Sequence, residues 1–242
     1  METLLGKNVL ITGAARRIGR ALALSVAKAG GTVLIHYSHS KEEAIQTQTE
    51  IQELGQTAYI LQGDFTIPDE VINLFLEAEK YGKIFALVNN ASIFEPLSWD
   101  NTNLDAWNLH LKVNLTAPFL LSQSFARSVI PGENGRIVNI LDWRALRPGY
   151  SHLPYIISKS ALAALTQSLA IALAPNINVN GLALGAILPP INGSDVSNIA
   201  KMIPAGRWGD VVEVGEALIY LLTGPSYITG EIIHVDGGRH LV

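Results

Sequence analysis

Tyr155 and Lys159 stand four residues apart in PYIISKS, so on a helix both side chains leave from one face. A tyrosine is a poor acid or base at its usual pKa of about 10. An ammonium beside it favours the phenolate and draws that value toward working range. The spacing alone is common and suits a solvated helix face equally well. Position gives it weight, because Pro154 opens the helix after a loop that follows the strand-like run GRIVNIL, 135–141. Asp142 closes that run. There it can serve a proton relay or, structurally, cap a turn or pair with Arg144 or Arg147. Asn114 falls inside a helical pattern over 104–130, where an amide is an indifferent helix former. Buried there it needs partners, such as a backbone carbonyl or a water leading to Lys159.

A second group suits a dinucleotide. In ITGAARRIGRAL an apolar strand turns through Gly13 and Gly19 into a helix, with Arg16 and Arg17 wedged in the turn. Backbone N–H groups and the helix dipole favour a phosphate there, although the three-glycine fingerprint is incomplete. The next strand ends in HYSHS, 36–40, with no acid before Glu42. A free ribose 2′-hydroxyl usually meets an Asp or Glu at that point. A 2′-phosphate would instead be welcomed by Arg17, Ser38, His39 and Ser40, which favours NADPH over NADH. Asp64, after the third strand, can accept from an adenine amino group. Asn90 and Ala91 follow the fourth strand, where small residues let a cofactor lie on the backbone; Asn89 reads as structural.

These groups need a scaffold, and the pattern supplies one. Strand-like runs at 8–13, 32–37, 57–62, 84–90, 135–141, 177–184 and 231–236 alternate with helical segments at 18–29, 41–54, 70–81, 104–130 and 155–173. The runs are continuous Val/Ile/Leu stretches, as in a parallel sheet buried on both faces. The expectation is one α/β domain over 1–242, a doubly wound Rossmann-type fold with a mostly seven-stranded parallel sheet flanked by helices. In such sheets ligands bind beyond the carboxyl ends of the strands, where all the residues above fall. The Pro/Gly/Asn/Ser-rich stretch 185–210 reads as a substrate-binding loop or lid.

Bulk composition narrows the classes. The chain has 242 residues, 48% hydrophobic and 16% charged, so a sizeable core is available. A net charge of −4 argues against non-specific nucleic-acid binding. With no cysteine there is no disulfide, thiolate metal site or cysteine nucleophile. No two histidines have metal-ligand spacing, so no metal is expected. No leader pattern opens the chain, and no apolar run is expected to reach the roughly 18 residues of a membrane span. A cytoplasmic protein with no membrane partner is the expectation.

On these residues the chain resembles the short-chain dehydrogenase/reductases over nearly its whole length. The shared marks are TGAARRIG, Asp64, NNAS (89–92), Asn114, Tyr155-Ile-Ile-Ser-Lys159 and YITGEIIHVDGG (227–238). Arg17 where most members carry glycine, and Asp142 where they carry serine, resemble the pteridine reductases, including the bacterial dihydromonapterin and dihydrofolate reductase branch. The resemblance implies NADPH held by Gly13, Arg17 and Ile18, by Tyr37, Ser38, His39 and Ser40, and by Asp64. It adds Asn90, Ala91 and Ser92, then Tyr155, Lys159 and Gly185. It implies catalysis by Asp142, Tyr155, Lys159 and Asn114, on a pteridine held by Arg17, Ser92, Phe94, Asp142 and Tyr155. Phe94 would stack on the pterin; on its own it reads as a loop aromatic covering the sheet end. Arg16 reads as a helix-start surface residue. The resemblance also implies a homotetramer, with Arg239 and His240 approaching a neighbouring subunit's site. Leu184-Gly185 stands where the family has Pro-Gly, so substrate contacts near 184–190 do not carry over. A broad carbonyl or 3-oxoacyl thioester reductase on the same fold, and a non-catalytic NADPH-binding sensor, are the competing readings.

Overall fold

Val9 and Ile11 leave the first strand on one side and Leu10 on the other, and all three are fully buried. A strand dry on both faces must be covered on both, and that requirement sets the architecture. The computed structural model describes residues 3–130, 132–189 and 198–242. Seven strands form one sheet: β1 (Asn8–Ile11), β2 (Thr32–Tyr37), β3 (Ala58–Gln62), β4 (Ile84–Asn89), β5 (Gly135–Asp142), β6 (Ile177–Leu184) and β7 (Ile232–Val235). Their order is β3-β2-β1-β4-β5-β6-β7. Every pairing is parallel. The order reverses between β1 and β4, which opens a crevice beyond their carboxyl ends.

Helices α1 (Arg17–Lys28), α2 (Lys41–Glu53) and α7 (Val211–Thr223) cover the Val9/Ile11 face. Helices α3 (Pro68–Glu79), α5 (Ala117–Ser128) and α6 (Leu153–Ala172) cover the Leu10 face, where Phe75 and Phe125 meet edge to face. Helix α7 was not singled out in the sequence. It is set by a capping box, in which Asp210 and Glu213 bond each other's backbone N–H groups.

Two expectations are corrected. The pattern over 104–130 is not one helix: α4 (Leu104–Leu111) passes through a π-helical turn, Lys112–Thr116, into α5. Pro118 gives the reason. It has no N–H for the carbonyl of Asn114 four residues back, so the ladder cannot continue regularly through that point. Second, α6 is long and apolar enough, by length and composition, to cross a membrane. It packs on the sheet as a core helix, with Tyr155, Lys159 and Thr166 buried along it. Part of the 185–210 stretch, 190–197, lies outside the described residues; among those described, one short 3-10 turn, Ala200–Met202, is regular.

Candidate active site

The crevice is a cleft of about 820 Å³ beyond the carboxyl ends of the strands. At its nucleotide end the β1–α1 turn is stitched to β4. Thr12 Oγ1 accepts from the backbone N–H groups of Asn90 and Ala91, both at 2.9 Å. Asn90 Nδ2 in return donates to the carbonyls of Thr12 (2.9 Å) and Gly13 (3.1 Å). Both glycines are sterically required. Gly13 has φ +60°, and a Cβ there would lie 2.9 Å from the Cα of Ala91. A Cβ on Gly19 would lie 2.0 Å from the Gly13 carbonyl oxygen.

From the neighbouring strand, buried His36 braces the same turn. Its Nδ1 accepts from the Gly13 N–H and its Nε2–H donates to the Gly63 carbonyl, each at 3.0 Å. The two partners fix the neutral tautomer. Burial lowers its pKa to about 4, against a smaller upward pull from the Gly63 hydrogen bond. Phe65 stacks on the ring at 4.2 Å.

Arg17 begins α1 with φ +53°, a left-handed conformation that favours glycine. Its side chain spans the cleft to donate to the Pro189 carbonyl at 3.1 Å. Beyond β2, Ser38 and His39 share a 2.9 Å hydrogen bond and line the cleft with Tyr37 and Ser40. No acidic side chain joins them at that end of β2, as a 2′-phosphate requires. Asp64 accepts from the Thr66 N–H at 2.9 Å, and that bond holds its carboxyl below the usual range.

At the chemical end, Asp142 closes β5 and gathers three donors. Oδ1 accepts from the Arg144 N–H at 2.8 Å. Oδ2 accepts from Arg144 Nη1 and from the Tyr155 hydroxyl, both at 3.2 Å. Lys159 is buried, and its ammonium donates to the Ile140 carbonyl at 2.7 Å. Burial lowers its pKa to about 8, while the Asp142 charge works against the fall. Its Nζ lies 6.0 Å from the centre of the Tyr155 ring. Tyr155 departs from the sequence expectation. Its pKa is pushed well above 10, first by burial, then by the Asp142 charge and hydrogen bond. In the free protein it is therefore a phenol, a proton donor and not a base.

The π-helical turn carries Asn114 into the same region, fully buried. It clamps the 92–93 segment: Oδ1 accepts from the Ile93 N–H (2.9 Å) and Ser92 Oγ (3.1 Å), while Nδ2 donates to the Ile93 carbonyl (3.1 Å) and Ser158 Oγ (3.0 Å). Phe94, 53% exposed, stacks on His152 at 4.3 Å and meets Tyr155 edge-on at 4.7 Å.

With this geometry in place, the family model described as short chain dehydrogenase matches residues 7–200. The chain belongs to this family. It is 33% identical to the L-rhamnose 1-dehydrogenase (NAD(P)(+)) of Sphingomonas sp. (strain SKA58), over 100% of this chain and 99% of that one. It is 36% identical to the 3-oxoacyl-[acyl-carrier-protein] reductase FabG of Aquifex aeolicus (strain VF5), over 96% and 97%. Among solved structures, FolM alternative dihydrofolate reductase 1 from Brucella canis, complexed with NADP, superposes with a TM-score of 0.92 at 33% identity, covering 100% of this chain and 97% of that one.

This short-chain dehydrogenase is an NAD(P)-dependent oxidoreductase, and its cleft fits the nucleotide. The two glycines leave room that any Cβ would fill, and the β2 end offers hydroxyls and imidazole where a carboxylate would repel a phosphate. Of the residues anticipated from the sequence, Gly13, Arg17, Ile18, Tyr37, Ser38, His39, Ser40 and Asp64 line one half of the cleft. Asn90, Ala91, Ser92, Phe94, Asp142, Tyr155, Lys159 and Gly185 line the rest. Gly185 is held against β7, where a Cβ would lie 2.6 Å from the Cα of Asp236. Asn114 is not part of the cleft lining, and the backbone-carbonyl partner expected of it is that of Ile93. The structural alternative for Asp142 also holds, since it both caps the turn Trp143–Ala145 and pairs with Arg144. Asn89 is structural as read, donating to Asn139 at 2.8 Å.

Several residues were missed. Thr12 and His36 lock the phosphate turn, and His36 was readable only as one more apolar-run residue. Arg144 and Trp143 follow Asp142 into the cleft. Arg239 lines this chain's own cleft, a place that the sequence did not indicate. His240 stacks on His234 at 3.9 Å and bonds Asp236.

Proposed function

We propose that this short-chain dehydrogenase is an NADPH-dependent pteridine reductase that delivers hydride to a C=N carbon of a dihydropteridine of the dihydrobiopterin, dihydromonapterin or dihydrofolate type. The observation that carries the reading is Asp142, in the place of the family's usual serine and bonded to the Tyr155 hydroxyl at 3.2 Å. A serine suits a ketone oxygen. A pteridine takes a proton on a ring nitrogen, and a carboxylate coupled to a phenol suits that transfer. Arg17 adds weight, because strain of this kind, about 1–3 kcal/mol, persists where a side chain is needed. The FolM likeness supports the same reading.

The nicotinamide, when bound, supplies the hydride. The chain supplies the proton and the placement. Tyr155 donates its phenol proton to the ring nitrogen, and Asp142, bonded to that hydroxyl, relays a solvent proton back to the phenolate to reset the site. Asp142 keeps both bonds from Arg144 when the phenol proton leaves. The phenolate formed is stabilised by the Lys159 ammonium held on the Ile140 carbonyl. Asn114 fixes Ser92 and Ile93, and so the wall from which Phe94 projects.

The test is NADPH oxidation with dihydrobiopterin, dihydromonapterin, dihydrofolate and an acetoacetyl thioester side by side. Asp142→Ser is expected to cut kcat/KM for the pteridine by about a hundredfold, the lower part of the range for a proton-transfer group. Unchanged pteridine turnover in that variant would remove Asp142 from the chemistry. The 36% identity to an oxoacyl reductase favours a second reading, a 3-oxoacyl thioester reductase. Turnover of the thioester alone would establish it.

A pH profile gives an independent check. Lys159 carries its charge below about pH 8 and loses it above. The free-protein profile, kcat/KM, is therefore expected to fall as pH rises through that value. A profile flat through pH 10 would mean that the ammonium charge is not used.

A further inference from the structure

The substrate end of the cleft holds one more cation than the reaction uses. Arg144 is spoken for by Asp142. Arg239, in the short turn after β7, has no carboxylate partner and no side-chain hydrogen bond among the described residues. Its guanidinium lies 5.0 Å from the centre of the Trp143 ring, and that of Arg144 lies 5.1 Å from the same ring. Both arginines, with Trp143, line the cleft. The two carboxylates that act on Arg239, Asp142 and Asp236, spend their hydrogen bonds elsewhere: Asp142 on Arg144 and Tyr155, and Asp236 on His240 and the Gly238 N–H. Partial burial first and the Arg144 charge second press the Arg239 pKa down, and the charges of Asp142 and Asp236 offset the repulsion between the two guanidiniums only in part. An anion relieves it.

That anion is not the nucleotide's 2′-phosphate. The 2′-phosphate residues follow β2, whereas Trp143 and Arg144 follow β5, three strands across the sheet. At about 4.8 Å per strand this is roughly 14 Å away. We propose that Arg239, with Arg144 and Trp143, selects substrates whose tail, remote from the reacting ring, bears a carboxylate or phosphate. Arg239 is thus a specificity residue, with the indole holding its guanidinium plane open to a forked anion. The proposal rests on the pteridine reading for the reacting head, but the tail can be tested apart from it.

The experiment compares kcat/KM within two pairs that differ in tail charge. One pair is dihydrofolate and its glutamate diamide. The other is acetoacetyl-coenzyme A and acetoacetyl-N-acetylcysteamine. Each is run with the wild-type protein and with Arg239→Gln. The anionic member is expected to be preferred by about tenfold or more in the wild type, as one charge-assisted hydrogen bond allows. The preference falls toward one in Arg239→Gln, mainly through KM. Salt at about 0.5 M erodes it in the wild type and not in the variant. If only the thioesters turn over, the pteridine reading fails and the same ratio in that pair decides the tail. A wild-type preference under about twofold, or an equal loss on both members of a pair in Arg239→Gln, overturns the proposal. No turnover of any of the four compounds overturns both readings together.

Discussion

Tyr155→Phe is expected to lower kcat by about a thousandfold, the middle of the range for removing a general acid. The substitution takes away one oxygen and leaves the ring. That ring packs edge-on against Phe94 and is buried, so the wall of the cleft keeps its shape. Asp142 loses its phenol donor but keeps the backbone and guanidinium bonds from Arg144, so no buried carboxylate is left bare. Stability should change by under about 1 kcal/mol for the same reason. NADPH affinity should fall by less than about fivefold, because lost chemistry separates from lost binding when the removed group acts in the transition state. Single-turnover NADPH oxidation and a fluorescence titration with NADPH read the two quantities separately. A kcat within tenfold of wild type would mean that the proton reaches the substrate by another route, Asp142 being the nearest group.

The direction of the Tyr155 shift carries a lesson about what the sequence held. The i, i+4 spacing was legible and correct: the helix exists, and both side chains reach one region. The sign of the shift was not legible, because it depends on tertiary neighbours. Burial sets the direction first, the Asp142 charge and hydrogen bond add to it, and Lys159 is turned to the Ile140 carbonyl. All seven strands were readable because buried parallel strands are uninterrupted apolar runs, and the ligand end of the sheet followed from their order. The break at Asn114 left a trace in the sequence, namely Pro118 four residues later, which the amphipathic period concealed. His36 left none. Its role depends on β1 and β2 lying side by side, which pairs the residue with Gly13 across the sheet. Arg239 is the same kind of case. Nothing local to DGGRHL tells that the turn folds over the cleft, because the Trp143 ring it meets follows β5, far away in sequence.

Gly19→Ala is expected to weaken NADPH binding by more than about a hundredfold and to destabilise the protein by about 2 kcal/mol, the middle of the range for overpacking. Helix propensity alone points the other way, because Ala in place of Gly inside a helix gains about 1 kcal/mol. Distance decides between them. The new Cβ would lie 2.0 Å from the Gly13 carbonyl oxygen and 2.7 Å from Asn90 Nδ2. Neither neighbour is a free side-chain tip. The carbonyl belongs to a turn at φ +60° whose N–H is bonded to His36, and Asn90 is bonded to both carbonyls of that turn. Relief therefore requires α1 to move away from β1, and the start of α1 is where the backbone N–H groups face a phosphate. Stability and affinity fall together through one displacement. Urea denaturation and NADPH titration of the same preparation measure both. An alanine variant as stable as wild type, binding NADPH within tenfold, would show that the turn can open without losing its ligand, and that the Thr12–Asn90–His36 lock is not what shapes the phosphate site.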